Sequence, residues 1–319
     1  MKPPRVFVTL KIPTEDLSPL EGLAEIVMSP YDWQVMPRDE IVGLLDDCAG
    51  LISQGELRVD DEILDAAPNL KIVANAAMGI DNLDLKSLTR RGIWATNTPA
   101  AFVESTADLT LGLILSTVRR ICEGDRFVRR GDWEANGFQP VRWEGRLLGG
   151  KTLGMVGYGK IAKAVEKRAQ AFGLRVIHCR TRPDDHPNCR SFEELLAESD
   201  IVGLFVPHSP TTHCLINERT LSMMKPGAVL VNVARGKVVA ESALVEALRS
   251  GHLGGAGLDV FEAEPRVHPD LTTMENVTLT PHLGGSTRED RRGGRMEAAE
   301  NVARVLLGEL PLTPVNQPD

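Results

Sequence analysis

The apolar, strand-like run Thr152–Val156 ends in Gly157-Tyr158-Gly159-Lys160-Ile161-Ala162 and leads into a helical stretch, Ile161–Phe172. This strand–turn–helix constrains the fold more than any other part of the chain. Gly157 permits a tight turn, Gly159 lets backbone approach a pyrophosphate, and the small Ala162 lets the helix pack on its strand. The helix N-terminus then presents amides and a positive dipole to the anion. Further strand candidates follow at Arg175–His178, Ile201–Val206, Ala228–Val233, Gly255–Val260 and Val277–Thr280, with helices at Phe192–Ala197 and Ser242–Ser250. Strands alternating with crossover helices predict a doubly wound parallel Rossmann sheet, with the 157–162 turn cradling a dinucleotide.

An earlier alternation carries its own sheet. Its strand candidates are Val6–Leu10, Ala24–Met28, Gly50–Ser53, Lys71–Ala76 and Ile93–Thr96, with helices at Glu40–Cys48, Asp61–Ala67 and Leu85–Arg91. A helix from Phe102 to about Arg130 is too uniformly apolar for a surface position and is expected to be buried between domains. The final helix, Thr287–Leu307, is expected to pack back on the first domain. For 319 residues, about two domains are expected. The α/β reading is a flavodoxin-like discontinuous substrate domain, 1–100 plus 287–319, and a Rossmann domain, 101–286, with a cleft between them.

Charge and cysteines narrow the function. A net charge of −8 argues against a nucleic-acid partner, and the Arg288–Arg295 stretch mixes acids with its bases. No apolar run nears the roughly 20 residues of a membrane span. Five scattered cysteines without a CxxC, and no signal-peptide pattern before Val6, predict a cytoplasmic protein with free thiols. Cys179, His186 and Cys189 match no usual zinc spacing, so no metal is expected.

The end of the second Rossmann strand bears on cofactor choice. An acid there would bind a ribose 2′-hydroxyl, but the chain reads His178-Cys179-Arg180-Thr181-Arg182. Two forked guanidinium groups around a threonine suit a 2′-phosphate, which favours NADP(H), with NAD(H) as the alternative.

Three charged residues follow strand candidates: Arg235 after 228–234, Glu264 after 257–261, and His282 after 277–281. Ligands of open parallel sheets bind outside the carboxyl ends of the strands. There Arg235 can grip a carboxylate and polarise the adjacent ketone. Glu264 can fix the tautomer of His282 and raise its pKa, so the imidazolium delivers a proton as hydride reaches carbon. That chemistry is the reduction of a 2-oxo acid.

The segments Val233-Ala234-Arg235-Gly236, Leu258-Asp259-Val260-Phe261-Glu262-Ala263-Glu264-Pro265 and Thr280-Pro281-His282-Leu283-Gly284-Gly285 are similar to the signatures of the D-isomer-specific 2-hydroxyacid dehydrogenases. With arginines after the second strand, the chain most resembles the glyoxylate/hydroxypyruvate reductase branch. The resemblance implies an NADPH-dependent reductase of a small 2-oxo acid, in which Arg235 binds substrate, Glu264 orients His282, and His282 is the acid. It implies that Asp259 holds the nicotinamide carboxamide, and that Thr106, Pro207, Thr212, Val233, Ala234 and Gly284 line the cofactor. It also implies that backbone amides of Ala77-Met78-Gly79 bind the substrate carboxylate, Met78 being bulkier than the family's usual residue. Gly131-Asp132-Trp133 and Trp143 fall in the family's dimer arm, so a homodimer with interface packing of these tryptophans is expected. His208 reads as a cofactor-edge residue. A phosphoglycerate dehydrogenase-like NAD enzyme is a second enzymatic reading, and a dinucleotide-sensing corepressor of the same fold is the non-catalytic one.

Overall fold

The computed structural model describes residues 2–32, 34–182 and 185–318. The expected outer limits of the first domain, Met1 and Asp319, lie outside the described residues. The chain forms two compact units, Met1–Phe102 with Gly285–Asp319, and Val103–Gly284.

The first unit is a parallel sheet of β1 (Arg5–Val8), β2 (Glu25–Met28), β3 (Cys48–Ser53), β4 (Ile72–Asn75) and β5 (Trp94–Thr96) in the order β2-β1-β3-β4-β5. This is the flavodoxin-like order. Alternation along β1 sends Phe7 to one core, with Ile41, Ile63, Leu64 and Leu88, and Val6 and Val8 to the other. The second core is closed by the helix Arg288–Leu306 through Ala298, Ala299 and Val302. Gly50 makes this close approach feasible, since a Cβ there would lie 2.9 Å from Val302.

Two local departures from expectation have clear causes. The helix placed at Glu40–Cys48 runs instead over Arg38–Val42, and Cys48 opens β3. Gly43 weakens the helix, and Asp46 and Asp47 would be two acids at its negative end. Asp47 pairs with Arg5 in β1 instead. Second, a 3-10 helix over Thr14–Leu20, unread in the sequence, packs against Arg288–Leu306, with buried Asp16 accepting from Arg295 at 3.1 Å.

The second unit holds β6 (Thr152–Val156), β7 (Arg175–Cys179), β8 (Ile201–Leu204), β9 (Ala228–Asn232), β10 (Leu253–Leu258) and β11 (Val277–Leu279). All pair in parallel, in the order β11-β10-β9-β8-β6-β7. Outside β7, an isolated parallel bridge joins His178 to Cys189. Counting that bridge as a vestigial third strand restores the 3-2-1-4-5-6 Rossmann succession, with β11 as a seventh strand beyond β10 and the switch point between β6 and β8.

The helix expected over Phe102–Arg130 is two helices, Val103–Val118 and Ile121–Arg129. At the break Arg120 adopts a left-handed φ of 56°, and the Val118 carbonyl accepts from the Arg146 N–H instead of continuing the helix. The buried face of Val103–Val118, including Ala107, Leu111, Leu113 and Ile114, belongs to the core of its own unit. Gly255 and Gly257 in β10 admit it closely, since a Cβ at either would lie 2.7 Å from Thr117 or 3.1 Å from Leu113. Among the described residues no helix is long and apolar enough to cross a membrane.

Candidate functional site

The turn after β6 has the shape a pyrophosphate requires. Gly157 takes a φ of 92°, and a Cβ there would lie 2.9 Å from the Phe205 carbonyl at the end of β8. A Cβ at Gly159 would meet nothing within 4 Å, so the space before the helix Lys160–Ala171 is open. Ala162 is fully buried against β6's core. The residues therefore fit a dinucleotide phosphate at the helix start. Pro207 and Thr212 lie in the loop after β8, where the Thr212 hydroxyl donates to the Pro207 carbonyl at 2.7 Å. Arg180, Thr181 and Arg182 follow β7 and are all exposed. His208 stands beside His213, Nε2 to Nδ1 3.3 Å. No group of three or more metal-ligating side chains occurs among the described residues.

The second unit gathers the three charged candidates itself. His282 Nδ1 meets Glu264 Oε2 at 2.9 Å, while Glu264 Oε1 accepts the Phe261 N–H at 2.9 Å. Burial would push the Glu264 carboxyl up, but the His282 bond, the Phe261 N–H and the His282 and Arg235 charges hold it below its usual value. The Glu264 bond lifts the His282 imidazole above its ordinary 6.5, against burial and with help from the Glu264 and Asp259 charges. With Nδ1 engaged and the side chain half-exposed, Nε2 is the nitrogen left to face a reactant. Arg235 is close enough for its charge to act on both partners.

Several supports of this arrangement escaped the sequence reading. Asn232, 1% exposed at the end of β9, accepts the Ala234 N–H and donates to the Arg235 carbonyl, which shapes the Arg235 turn. Gly236 has no room for a side chain: a Cβ would lie 1.8 Å from the Phe261 carbonyl. The Arg235 turn is thereby pressed onto the loop that carries Glu264. Asp259, also 1% exposed, accepts the Thr280 hydroxyl at 2.6 Å and the Leu283 and Gly284 N–H groups at 2.6 and 2.8 Å. It thus holds the turn on which His282 sits at a left-handed φ of 55°. Burial pushes the Asp259 carboxyl up despite these three donors. Thr106 and Gly284 are neighbours of Asp259, since a Cβ at Gly284 would lie 3.3 Å from both. Val233 is buried beneath the same strand ends.

In the first unit, the Ala77–Gly79 turn has all three carbonyls engaged. Ala77 accepts from the Thr98 N–H at 3.0 Å, Met78 from Asn97 Nδ2 at 2.8 Å, and Gly79 from Asn75 Nδ2 at 2.8 Å. Among the described residues nothing accepts from the N–H groups of this turn. Such a turn is a ready anion donor. Of the two arm tryptophans, Trp143 packs edge-on to Phe127 at 4.9 Å between Arg120 and Arg142, whereas Trp133 is 53% exposed.

Residues 111–284 match the D-isomer specific 2-hydroxyacid dehydrogenase, NAD binding domain. The glyoxylate reductase of Pyrococcus furiosus is 42% identical over 322 residues, covering 98% of this chain and 96% of its own length. A solved structure of a Thermus thermophilus protein is 42% identical with a TM-score of 0.90, covering 98% of this chain and 99% of that one. The NADPH-dependent glyoxylate/hydroxypyruvate reductase of Sinorhizobium meliloti, solved with NADP and malonate, is 32% identical with a TM-score of 0.84, over 98% and 96% of the two chains. The chain belongs to the D-isomer-specific 2-hydroxyacid dehydrogenase family and is an NAD(P)-dependent oxidoreductase.

Proposed function

We propose that this protein reduces a small 2-oxo acid of the glyoxylate or hydroxypyruvate type to the D-2-hydroxy acid, with NADPH as reductant. The observation that carries the reading is the His282–Glu264 pair at 2.9 Å with Arg235 acting on both. The nicotinamide cofactor, when bound, supplies the hydride. Arg235 binds the substrate carboxylate and stabilises negative charge growing on the adjacent oxygen. Protonated His282 delivers its Nε2 proton to that oxygen, and Glu264 keeps Nδ1 protonated and the ring oriented. The Ala77, Met78 and Gly79 amides are assigned to an anion, on the strength of the engaged carbonyls in their own unit.

The 157–162 turn is assigned to the pyrophosphate, with Thr106, Pro207, Thr212, Val233, Ala234, Asp259 and Gly284 as the remaining cofactor contacts. Arg180, Thr181 and Arg182 are assigned to a 2′-phosphate: they are exposed, and no acid stands among them. The S. meliloti reductase, described as NADPH-dependent, supports this choice. Exposed Val128, Trp133, Phe138, Val141 and Leu147 in the arm support a homodimer, and five free cysteines accord with the cytoplasm.

The test is loss of reduced-nicotinamide absorbance with NADPH and NADH against glyoxylate, hydroxypyruvate, pyruvate and phosphohydroxypyruvate. Fast NADPH oxidation with glyoxylate or hydroxypyruvate is expected. Phosphohydroxypyruvate turnover with NADH alone would replace this reading by the phosphoglycerate type. Tight cofactor binding with silence on every substrate would turn it to a sensing role.

A further inference from the structure

We propose that the Tyr158–His178 ring pair, backed by His186, is a positioning device that sets the preference for a 2′-phosphorylated dinucleotide. It does so by fixing the Arg180–Arg182 loop relative to the pyrophosphate turn. The inference deepens the NADPH reading and rests on it.

Tyr158 sits between the two fingerprint glycines, and its ring lies flat on His178, with centroids 3.7 Å apart and planes at 6°. His178 is fully buried in β7, two residues before Arg180. An imidazole is an unusual choice for a fully buried strand position, and this one stacks on Tyr158. Both ends of the stack are anchored. The Tyr158 hydroxyl donates to Glu166 on the fingerprint helix, and Lys163 Nζ stands 5.5 Å over the same ring. His186 tilts against His178 at 5.3 Å. His186 also orders its own loop, since its Nδ1 accepts the Asn188 N–H at 3.2 Å and its carbonyl accepts the Cys189 N–H at 2.8 Å. That loop is bonded to both the N–H and the carbonyl of His178 through Asn188 and Arg190. The Gly157 N–H donates to the Cys179 carbonyl at 3.0 Å, tying the fingerprint turn to the end of β7.

The separation between the pyrophosphate and the 2′-phosphate is limited by the cofactor's covalent frame. Donors at both ends are therefore satisfied together only if the two turns are held at one spacing. Forked guanidinium bonds are directional, so a loop that drifts loses them sharply. A cofactor with a bare ribose asks less of that loop. The stack consequently matters more for NADPH than for NADH.

The experiment is steady-state kinetics of the full chain and its His178→Leu and His178→Phe variants, with each cofactor at saturating 2-oxo acid. Leucine removes the ring face, and the KM for NADPH is expected to rise about fivefold, the scale of one aromatic pair. The KM for NADH and both kcat values stay within about twofold on the same scale. Phenylalanine restores a stacking ring and returns the NADPH KM to near its original value. Equal rises for both cofactors, a fall in kcat instead, or a Phe variant as impaired as the Leu variant would overturn the inference. Should His178→Leu fail to fold, His186→Leu removes the exposed ring that packs on His178, and the same selective rise in NADPH KM is required. An unaltered protein without NADPH preference overturns the arginine reading and this inference together. One that prefers NADPH, with variants blind to the cofactor, overturns the inference alone.

Discussion

The His282 turn and the Arg180–Arg182 loop both follow strands of one sheet, yet they are built in opposite ways. Around His282 almost every polar atom is engaged: Asp259 takes three donors, both Glu264 oxygens are occupied, and Gly236 is pressed against the Phe261 carbonyl. The arginine loop is three exposed side chains on a stem held from beneath. Proton transfer tolerates little error in position, and the backbone locking around His282 accords with the proposed role. Recognition of an anion works through charge at longer reach, and for the proposed 2′-phosphate role exposed arginines suffice.

The sharpest break in that comparison is His282→Ala. Turnover should fall by about three orders of magnitude, the scale of a lost general acid, while cofactor affinity measured by fluorescence titration changes little. Full activity in this variant would dismantle the assignment. Glu264→Gln is expected to cost about 10- to 100-fold. Its diagnostic is the pH profile. As the proposed acid, His282 must be protonated, so the rate is expected to hold at low pH and to fall as pH climbs through a pKa raised above 6.5. Without the Glu264 charge that descending limb should move to lower pH, and a limb that stays put would mean Glu264 does not tune the imidazole. The same sign governs stability. The pair's contribution through His282 is full below its unfolded value near 6.5 and is lost as pH rises through the folded value. Arg180→Asp is the mildest of the three. The ratio of kcat/KM for NADPH over NADH should drop about tenfold, the worth of one charge-assisted bond, with kcat for NADH preserved. An unchanged ratio would clear Arg180 of cofactor selection.

How much of this was readable from residues alone follows the same division. The parallel strands were legible because they are buried on both faces and so read as short apolar runs between turn residues. Arg235, Glu264 and His282 were legible because each stands just past such a run. The break at Arg120 was not, because it depends on Arg146 reaching back to the Val118 carbonyl from a distant loop. Asn75 and Asn232 were overlooked although they carried a signal. Each is the polar last residue of an otherwise apolar strand, and a fully buried amide must be spending its bonds on something. Asp259 was read only as a ligand contact. Its service to the His282 turn runs through N–H groups of Leu283 and Gly284, which no side-chain pattern announces.

The left-handed backbone of His282 has a consequence for evolvability. A position at φ 55° is one where glycine would be more comfortable by about 1 kcal/mol than a residue with a Cβ. His282→Gly should therefore melt above His282→Ala, although neither retains an imidazole. Selection for thermal robustness alone would drift this residue away from histidine, so on the proposed mechanism it is the demand for turnover that holds it in place.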